Sequence, residues 1–316
     1  MTHELSRSKD LSREVQRVLL EQMVAAESDL AGTPLSEASI HQARKALKKA
    51  RATLRLLRES IPDSVYRREN HALRDIARPL SAARDATVLI ETLGKLQKLY
   101  GKAATQSIPP PLLDTLKGEQ SRAHHSAGGS NGKRPAASRQ IRTVRQRLAR
   151  APVAQNSWNG VGTALKRAYR NGRRAMKRAR RTPEAEGLHE WRKQSKHLWY
   201  QTQVLQPLWP GMVEELGDQL HQLSDYLGDD HDLVVLRQKV AQSQPAFKDS
   251  GNSGALLALI DRCRARLQEK AFLLGGRIYD EAPRDFVARF EHYWERWRKE
   301  KIAHDNPGGR RSLAVR

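Results

Sequence analysis

The chain has 316 residues, with 57 Lys or Arg against 35 Asp or Glu and a formal net charge of +22. A protein this basic is predicted to bind a polyanion, which means nucleic acid, an anionic membrane surface or polyphosphate. A single cysteine excludes a disulfide framework and a thiolate metal cage. The sequence shows neither a signal peptide nor an apolar run of membrane-spanning length, so we expect a cytoplasmic protein without membrane insertion.

Almost every segment places its apolar residues at the helical period, which predicts an all-α fold. The first helix is ended by Gly32-Thr33-Pro34, and the second, which carries His41, is capped by Ser36. Residues 126–138 are rich in Gly and Ser and predict a flexible loop. The tail from Asp305 is predicted to be disordered. The first helix is predicted at about 11–30. Further helices are predicted at about 63–80, 85–93, from 112 onward, and at 139–150, 158–181, 253–280 and 283–301. The last of these repeats its aromatic residues at i+3 and i+4, which indicates a core face.

The helix that carries His41 has a cationic stripe without an acid beside its apolar stripe. Like charges on one helix face repel, so such a stripe weakens the fold unless an anion neutralises it. A solvated charged face is the alternative. The stripe contains His41, Arg44, Lys48, Arg51, Arg55 and Arg58.

A second basic helix covers residues 158–181, with nine Lys or Arg and no acid between Val161 and Pro183. Acids of other segments could instead neutralise this run across an interface, and both interpretations stay open. The stripe of this helix contains Lys166, Arg170, Arg173, Lys177 and Arg181, with Arg174 at its edge.

The second half of the chain repeats the first, which predicts two copies of one helical unit packed about a pseudo-twofold axis. At an offset of 147, Leu73–Leu89 aligns with Leu220–Leu236. The predicted copies are residues 8–152 and 156–304, within one domain of 8–304. At an offset of 148 the matching pairs are His41/His189, Arg44/Arg192, Lys45/Lys193 and Lys48/Lys196.

The paired pattern His-x-x-Arg-x-x-x-Lys, followed in each half by an Arg-Asp or His-Asp segment, resembles the CHAD family, the conserved histidine α-helical domain. The resemblance covers about residues 8–304. It implies two antiparallel four-helix bundles that face each other across a basic central channel. It also implies a non-catalytic protein that binds inorganic polyphosphate, often at polyphosphate granules, without a cofactor. Trp199 and Gln203 stand where the first copy has Arg51 and Arg55, so the second stripe is less cationic.

The charge pattern suits polyphosphate on chemical grounds, because Arg gives bidentate contacts to phosphoryl oxygens and Lys gives compact charges. Other polyanions are left open. We expect the helices that begin at His41 and His189 to lie close together, with their basic faces in one channel. His41 and His189 either donate to phosphate when protonated or hold helices together by a hydrogen bond. The predicted binding residues are His41, Arg44, Lys45, Lys48, Lys49, Arg51, Arg55, Lys166, Arg170, Arg173, Arg174, Lys177, His189, Arg192, Lys193, Lys196 and His197.

The same pattern leaves room for other side-chain roles and other functions. Trp191 is predicted to be core packing, and Asp85 and Asp232 to cap helices or pair with arginines. A nucleic-acid binder is allowed by charge alone, although no helix-turn-helix or RNA-recognition motif is evident. A helical metal-dependent phosphohydrolase is the enzymatic alternative. Its candidate residues are His189, His197, His221, Asp229, Asp230, His231 and Asp232.

Overall fold

The computed structural model describes residues 5–6, 10–31, 36–80, 85–128, 133–154, 158–243 and 253–305. These ranges contain helices and no strand, which confirms the all-α prediction. No helix within them has the length and apolar character needed to cross a membrane. The helices are α1 (Leu11–Asp29), α2 (Glu37–Leu56), α3 (Asp63–Ala77), α4 (Asp85–Tyr100), α5 (Lys102–Ser107), α6 (Pro110–Gly128), α7 (Lys133–Ala149), α8 (Asn159–Arg181), α9 (Ala185–Leu205), α10 (Pro210–Ser243), α11 (Ser253–Ile278) and α12 (Pro283–Asp305).

Local sequence signals set several helix ends. The Ser36 side chain accepts a hydrogen bond from the backbone N–H of Ser39 at 3.1 Å, which confirms the predicted cap of α2. Asp10 caps α1 in the same way. Gly101 separates α4 from α5 with a φ of 58°, a left-handed conformation that glycine adopts without strain.

The loop predicted at 126–138 is wrong at both ends, because α6 continues to Gly128 and α7 begins at Lys133. Pro135 falls in the first turn of α7, where a missing N–H costs no helical hydrogen bond. Ala137 and Ser138 are buried, so tertiary packing stabilises the start of this helix despite its Gly- and Ser-rich approach. The tail beyond Asp305 lies outside the described residues.

The aligned segments of the two halves differ in one respect that the sequence explains. α3 ends at Ala77 and α4 begins at Asp85, whereas α10 is continuous through the aligned residues. Pro79 aligns with Tyr226 at the 147-residue offset. Proline clashes with the preceding helical turn and removes a hydrogen bond, so α3 ends before Pro79. α10 has no proline after its first residue and continues. The duplication and its pseudo-twofold axis stay a prediction.

Two hydrophobic clusters organise the helices. The larger one joins residues of α1, α2, α3 and α7 to residues of α8, α9, α12 and the first half of α10. The smaller one joins α4 and α6 to α11 and the second half of α10. Each cluster therefore draws on both sides of the predicted boundary between the copies. The aromatic residues of α12 lie in the larger cluster, as predicted; they are Phe286, Phe290, Tyr293, Trp294 and Trp297.

Trp191 anchors α9 in this core. It is fully buried and stacks on Phe272 of α11 with ring centroids 5.1 Å apart, which confirms its predicted packing role. The indole also lies against Gly275, where an added Cβ would fall 2.4 Å from Trp191 Cζ2. Such a distance is far below van der Waals contact, so α11 approaches α9 this closely only with glycine at 275.

Adjacent glycines on α11 provide a matched test of this packing. Gly275→Ala should lower the free energy of unfolding by about 1–3 kcal/mol, because the methyl group overpacks against Trp191. Gly276→Ala should raise it by roughly 0.5–1 kcal/mol, because Cβ meets nothing within 4 Å there and alanine is the better helix former. Urea unfolding followed by circular dichroism measures both. Equal effects at the two positions would contradict the close α9–α11 contact.

Candidate anion-binding site

A cavity of about 660 Å³ lies between α2, α9, α10 and α4. It is called the α2–α9 cavity here, because these two helices contact each other and supply its positive charge. The cavity brings together residues of both predicted basic stripes. Those residues are His41, Arg44, Lys45 and Lys48 from α2, with Arg192 and Lys196 from α9.

The remaining walls contain residues that sequence reasoning did not assign to binding. Val88 and Leu89 come from α4, and Trp199 and Tyr200 from α9. The polar wall belongs to α10, where His221 and Asp225 form a pair with 3.0 Å between Nδ1 and Oδ2. The sequence carried a signal for this wall, because its α10 residues recur at spacings of three, four and seven, which place them on one side of a helix. They are His221, Asp225, His231, Asp232 and Val235.

Lys196 experiences an excess of positive charge in this cavity. Its pKa falls from an ordinary value of 10.5 to about 8. Burial is the largest cause, followed by repulsion from Arg192 and Lys48, and Asp225 and Asp232 only partly oppose it. The ammonium group is therefore held at a position where an additional negative charge would stabilise it.

Two arginines of the cavity are positioned by backbone contacts. Arg44 donates from Nη1 to the carbonyl oxygen of Leu80 at 2.8 Å. Arg192 lies against Gly228 of α10, where a Cβ would fall 3.1 Å from Nε and from Nη2. The Nε atom of Arg192 is buried and has no hydrogen-bond partner among the described residues. This N–H group is therefore left without an acceptor in the described part of the chain.

Other predicted residues of α2 and α9 lie outside the cavity lining. Arg51 and Arg55 form a second cationic cluster that faces α3 and lies beside His197, and Arg51 Nε donates to Asn70 of α3 at 3.4 Å. Burial, Arg55 and Arg74 lower the pKa of Arg51 to about 10. Burial, followed by repulsion from Arg55, Arg51 and Lys193, holds the pKa of His197 well below its ordinary value.

Lys49 and Lys193 also lie outside the α2–α9 cavity. Burial, with Lys45 as the next cause, lowers the pKa of Lys49. Lys193 pairs with Glu190 one turn away on α9, with 2.5 Å between nitrogen and oxygen. The structure therefore divides the residues of each predicted stripe between two environments.

His189 lies behind the cavity wall. Its ring packs on His231 with centroids 4.5 Å apart and a tilt of 39°, and His231 in turn lines the cavity. Burial lowers the pKa of His189, with His231 and Arg192 as the next causes. Its buried Nδ1 atom has no hydrogen-bond partner within the described ranges.

The basic residues predicted on α8 separate into three groups. Arg173 donates to the carbonyl oxygens of Tyr279 at 2.9 Å and Asp280 at 3.5 Å, so it joins α8 to the end of α11. Arg174 and Lys177 line a separate cavity of about 590 Å³ beside α9, called the α8–α9 cavity here. Lys166 and Arg170 are exposed and line neither this cavity nor the α2–α9 cavity.

The candidate residues of a metal-dependent enzyme make contacts between helices. Asp229 accepts from Lys95 at 2.7 Å. The buried Asp230 accepts from Arg264 at 3.1 Å and from Gln268 at 2.9 Å. Across the described ranges, no group of three or more His, Cys, Asp or Glu is placed to hold a metal ion. Asp232 lines the α2–α9 cavity, and the Asp85 side chain lies outside the described part of the chain.

Replacing Lys196 by methionine should raise the melting temperature at pH 7 and low salt by a few degrees. The folded-state pKa is depressed, so the unfolded chain holds more protons between pH 8 and 10.5 and the free energy of unfolding rises with pH there. Below pH 8 the folded protein carries the full electrostatic cost of the buried charge, which Lys196→Met removes. The gain should shrink as pH rises from 8 through 10.5, because the lysine then loses its proton in the unfolded state as well.

Thermal unfolding at pH 7 and pH 10 measures this difference. Lys299→Met, at an exposed position of α12, is the control and should change little at either pH. A Lys196→Met variant that is no more stable than the wild type at pH 7, or whose gain does not depend on pH, would contradict the charge excess.

Comparisons with known proteins agree with this architecture. The family model described as the CHAD domain matches residues 16–241. The fold is similar to that of PptA from Streptomyces chartreusis, with a TM-score of 0.61, 16% identity, and coverage of 87% of this chain and 100% of that one. It is also similar to the CHAD domain from the plant Ricinus communis, with a TM-score of 0.52, 21% identity, and coverage of 84% and 94%. No curated protein matches. The chain therefore belongs to the CHAD family.

Proposed function

We propose that this protein binds inorganic polyphosphate in the α2–α9 cavity and does not act on it chemically. The observation that carries the proposal is the cluster of six basic residues from two helices on one cavity wall. The family implication of polyphosphate binding, drawn from the His-x-x-Arg-x-x-x-Lys pattern, supports the same ligand.

The electrostatics of the cavity favour a ligand with many negative charges. The pKa of Lys196 is lowered first by burial and then by repulsion from Arg192 and Lys48, which Asp225 and Asp232 only partly oppose. A polyanion in the cavity supplies the missing charge, so its binding both gains charge-assisted hydrogen bonds and relieves repulsion within the protein. An uncharged ligand would do neither.

The donor geometry suits phosphoryl oxygens. Arg44 is held by Leu80, and Arg192 is held against Gly228 with its Nε–H unpaired, so both guanidinium groups are oriented before a ligand arrives. Preorganised donors lose little conformational freedom on binding, which increases affinity. Lys45 and Lys48 are exposed at the cavity and add positive charge beside these two arginines.

Within this proposal the protein is a binding protein without a cofactor, located in the cytoplasm and at polyphosphate granules. Fixed positive charges along a cavity hold successive phosphate groups in the ground state. Holding the whole chain in this way does not by itself favour a transition state for cleavage. The granule location rests on the family resemblance.

Removing three cavity lysines should weaken polyphosphate binding by more than about tenfold, because each charge-assisted contact contributes on the order of 1.5–3 kcal/mol. The variant is Lys45→Ala, Lys48→Ala and Lys196→Ala together. Affinity for a polyphosphate of defined length is measured by isothermal titration calorimetry at two salt concentrations. The slope of log affinity against log salt should become shallower by roughly 2–3.

The control removes the same charge from α12, through Arg284→Ala, Arg296→Ala and Lys299→Ala. Arg284 and Arg296 have 81% and 80% of their side-chain surface exposed. This control should bind nearly as well as the wild type. Equal losses in both variants would mean that net charge alone drives binding, and duplex DNA that competes as strongly as polyphosphate would favour a nucleic-acid ligand. Circular dichroism excludes unfolding as the cause of any loss.

Polyphosphate binding near pH 8.5 should be accompanied by proton uptake at Lys196. The free-state pKa of about 8 leaves the amine largely neutral at this pH, and a bound anion raises that pKa. Titration in two buffers of different ionisation enthalpy measures the number of protons taken up. Lys196→Met should take up fewer protons than the wild type, and an unchanged number would contradict the placement of phosphate beside Lys196.

A further inference from the structure

The α8–α9 cavity is a second concentration of positive charge. It has a volume of about 590 Å³ and no acidic residue among its described lining residues. We infer that it is a second polyphosphate site that binds the same chain as the α2–α9 cavity. This inference rests on the proposed function. The lining residues are Asn171, Arg174, Lys177, Arg178, Arg181 and Gln194.

Ion pairing within the protein does not account for the charge of this cavity. Of the nine basic residues of α8, Arg167 pairs with Glu59 at 2.8 Å. Arg173 donates to the carbonyl oxygen of Tyr279, directly after α11, and Arg180 donates to that of Phe272 within α11. Arg174, Lys177 and Arg178 are exposed and line the cavity. These three side chains therefore add exposed positive charge to the cavity, while Lys166 and Arg170 are exposed elsewhere on the same helix.

Helix electrostatics explain only part of the cluster. Arg178 and Arg181 lie in the last turn of α8, where cations are stabilised by the negative end of the helix dipole. Arg174 and Lys177 lie further from that end, and their repulsion from neighbouring arginines is a cost to the folded chain. A bound anion would remove that cost.

The aligned helix of the first half lacks this feature. At the 147-residue offset α8 corresponds to α1, which contains Glu14, Glu21, Glu27 and Asp29 beside its two arginines. Both arginines of α1 are engaged in ion pairs, with Asp10 and with glutamates of the same helix. The positive charge of the α8–α9 cavity is therefore not repeated on the aligned helix of the first half.

The two cavities lie on opposite sides of α9. Arg192 and Lys196 line one, and Gln194 lines the other, about 160–200° around the helix axis at about 100° per residue. A helix with its side chains is about 10–12 Å across, so a path around the exposed side between them is roughly 15–20 Å long. Lys193 lies on this path and is half-exposed.

One acid lies on the same path. Glu190 is the only acidic residue in the sequence between 190 and 197, and its carboxylate accepts from Lys193 and from Gln194. Burial raises its pKa, but the hydrogen bonds from Lys193 and Gln194 outweigh burial and hold the pKa below its ordinary value. Its charge would repel a polyphosphate chain that passes from one cavity to the other.

A flexible chain that reaches both cavities binds the second one intramolecularly, which multiplies affinity without any new kind of contact. Polyphosphate suits this arrangement because each unit carries charge and none needs a stacking surface. No aromatic residue is among the described residues that line the α8–α9 cavity, whereas bases in single-stranded nucleic acid bind mainly by stacking on aromatic rings. A chain too short to span α9 should occupy each cavity separately.

Calorimetric titration with tripolyphosphate and with a polyphosphate of several tens of units tests the inference. The wild type should bind two tripolyphosphates and should bind the long chain more than about a hundredfold more tightly. The variant Arg174→Ala, Lys177→Ala and Arg178→Ala should bind one tripolyphosphate with unchanged affinity and lose at least tenfold for the long chain. Alanine preserves helix propensity, so α8 should remain folded.

Two further variants make the result specific. Glu190→Gln should strengthen long-chain binding and leave the tripolyphosphate stoichiometry at two. The α12 charge variant should keep both the stoichiometry and the length dependence. A wild type that binds one tripolyphosphate would overturn the inference, and so would an α8 variant whose affinity falls equally for both chain lengths. Duplex DNA that binds the α8 surface more tightly than long polyphosphate would also overturn it.

Failure of the proposed function gives a different pattern. If the Lys45, Lys48 and Lys196 variant still binds two tripolyphosphates, the α2–α9 cavity is not a polyphosphate site. The α8–α9 cavity is then judged separately, from the stoichiometry of the α8 variant.

Discussion

The contact between α2 and α9 is the constraint on which the rest of the candidate site depends. Gln201 Nε2 donates to the carbonyl oxygen of Ala52 at 3.3 Å, in a buried position where the two helices cross. The basic residues of α9 all precede Gln201, and most of those on α2 precede Ala52, so the contact brings like charges close together. Burial of the surrounding apolar residues, with Leu47, Leu54 and Leu198 at 0% exposure, must outweigh that repulsion.

The electrostatic cost of the contact appears in the lowered pKa values of basic residues on both helices. On α9 the pKa of Lys196 falls to about 8, and on α2 the pKa of Arg51 falls to about 10. Burial is the largest cause at each site, and neighbouring cations add to it. In the proposed function, a polyanion that neutralises the cavity would relieve repulsion between these basic residues. Binding and stability would then depend on the same few charges.

Both halves of α10 line the cavity, although they pack in different hydrophobic clusters. The first half packs in the larger cluster and supplies His221 and Asp225 to the cavity. The second half packs in the smaller cluster with α4 and α11 and supplies His231, Asp232 and Val235. Continuity of this helix depends on the absence of a proline at the position that aligns with Pro79. A single residue type thus explains why one wall of the cavity is a long rigid helix while the aligned segment in the first half is divided between α3 and α4.

The sequence by itself determined the helices, the cap at Ser36, the core position of Trp191 and the family, because these depend on local periodicity and on short patterns. The sequence also identified the basic stripes, but the pattern within one helix does not indicate which other helices pack against it. Only the tertiary structure decided that His41, Arg44, Lys45 and Lys48 share a cavity with residues of α9 while Arg51 and Arg55 face α3, since both α9 and α3 pack against α2. The helix extending into residues 133–138 was likewise decided by burial of Ala137 and Ser138, which no local signal indicated.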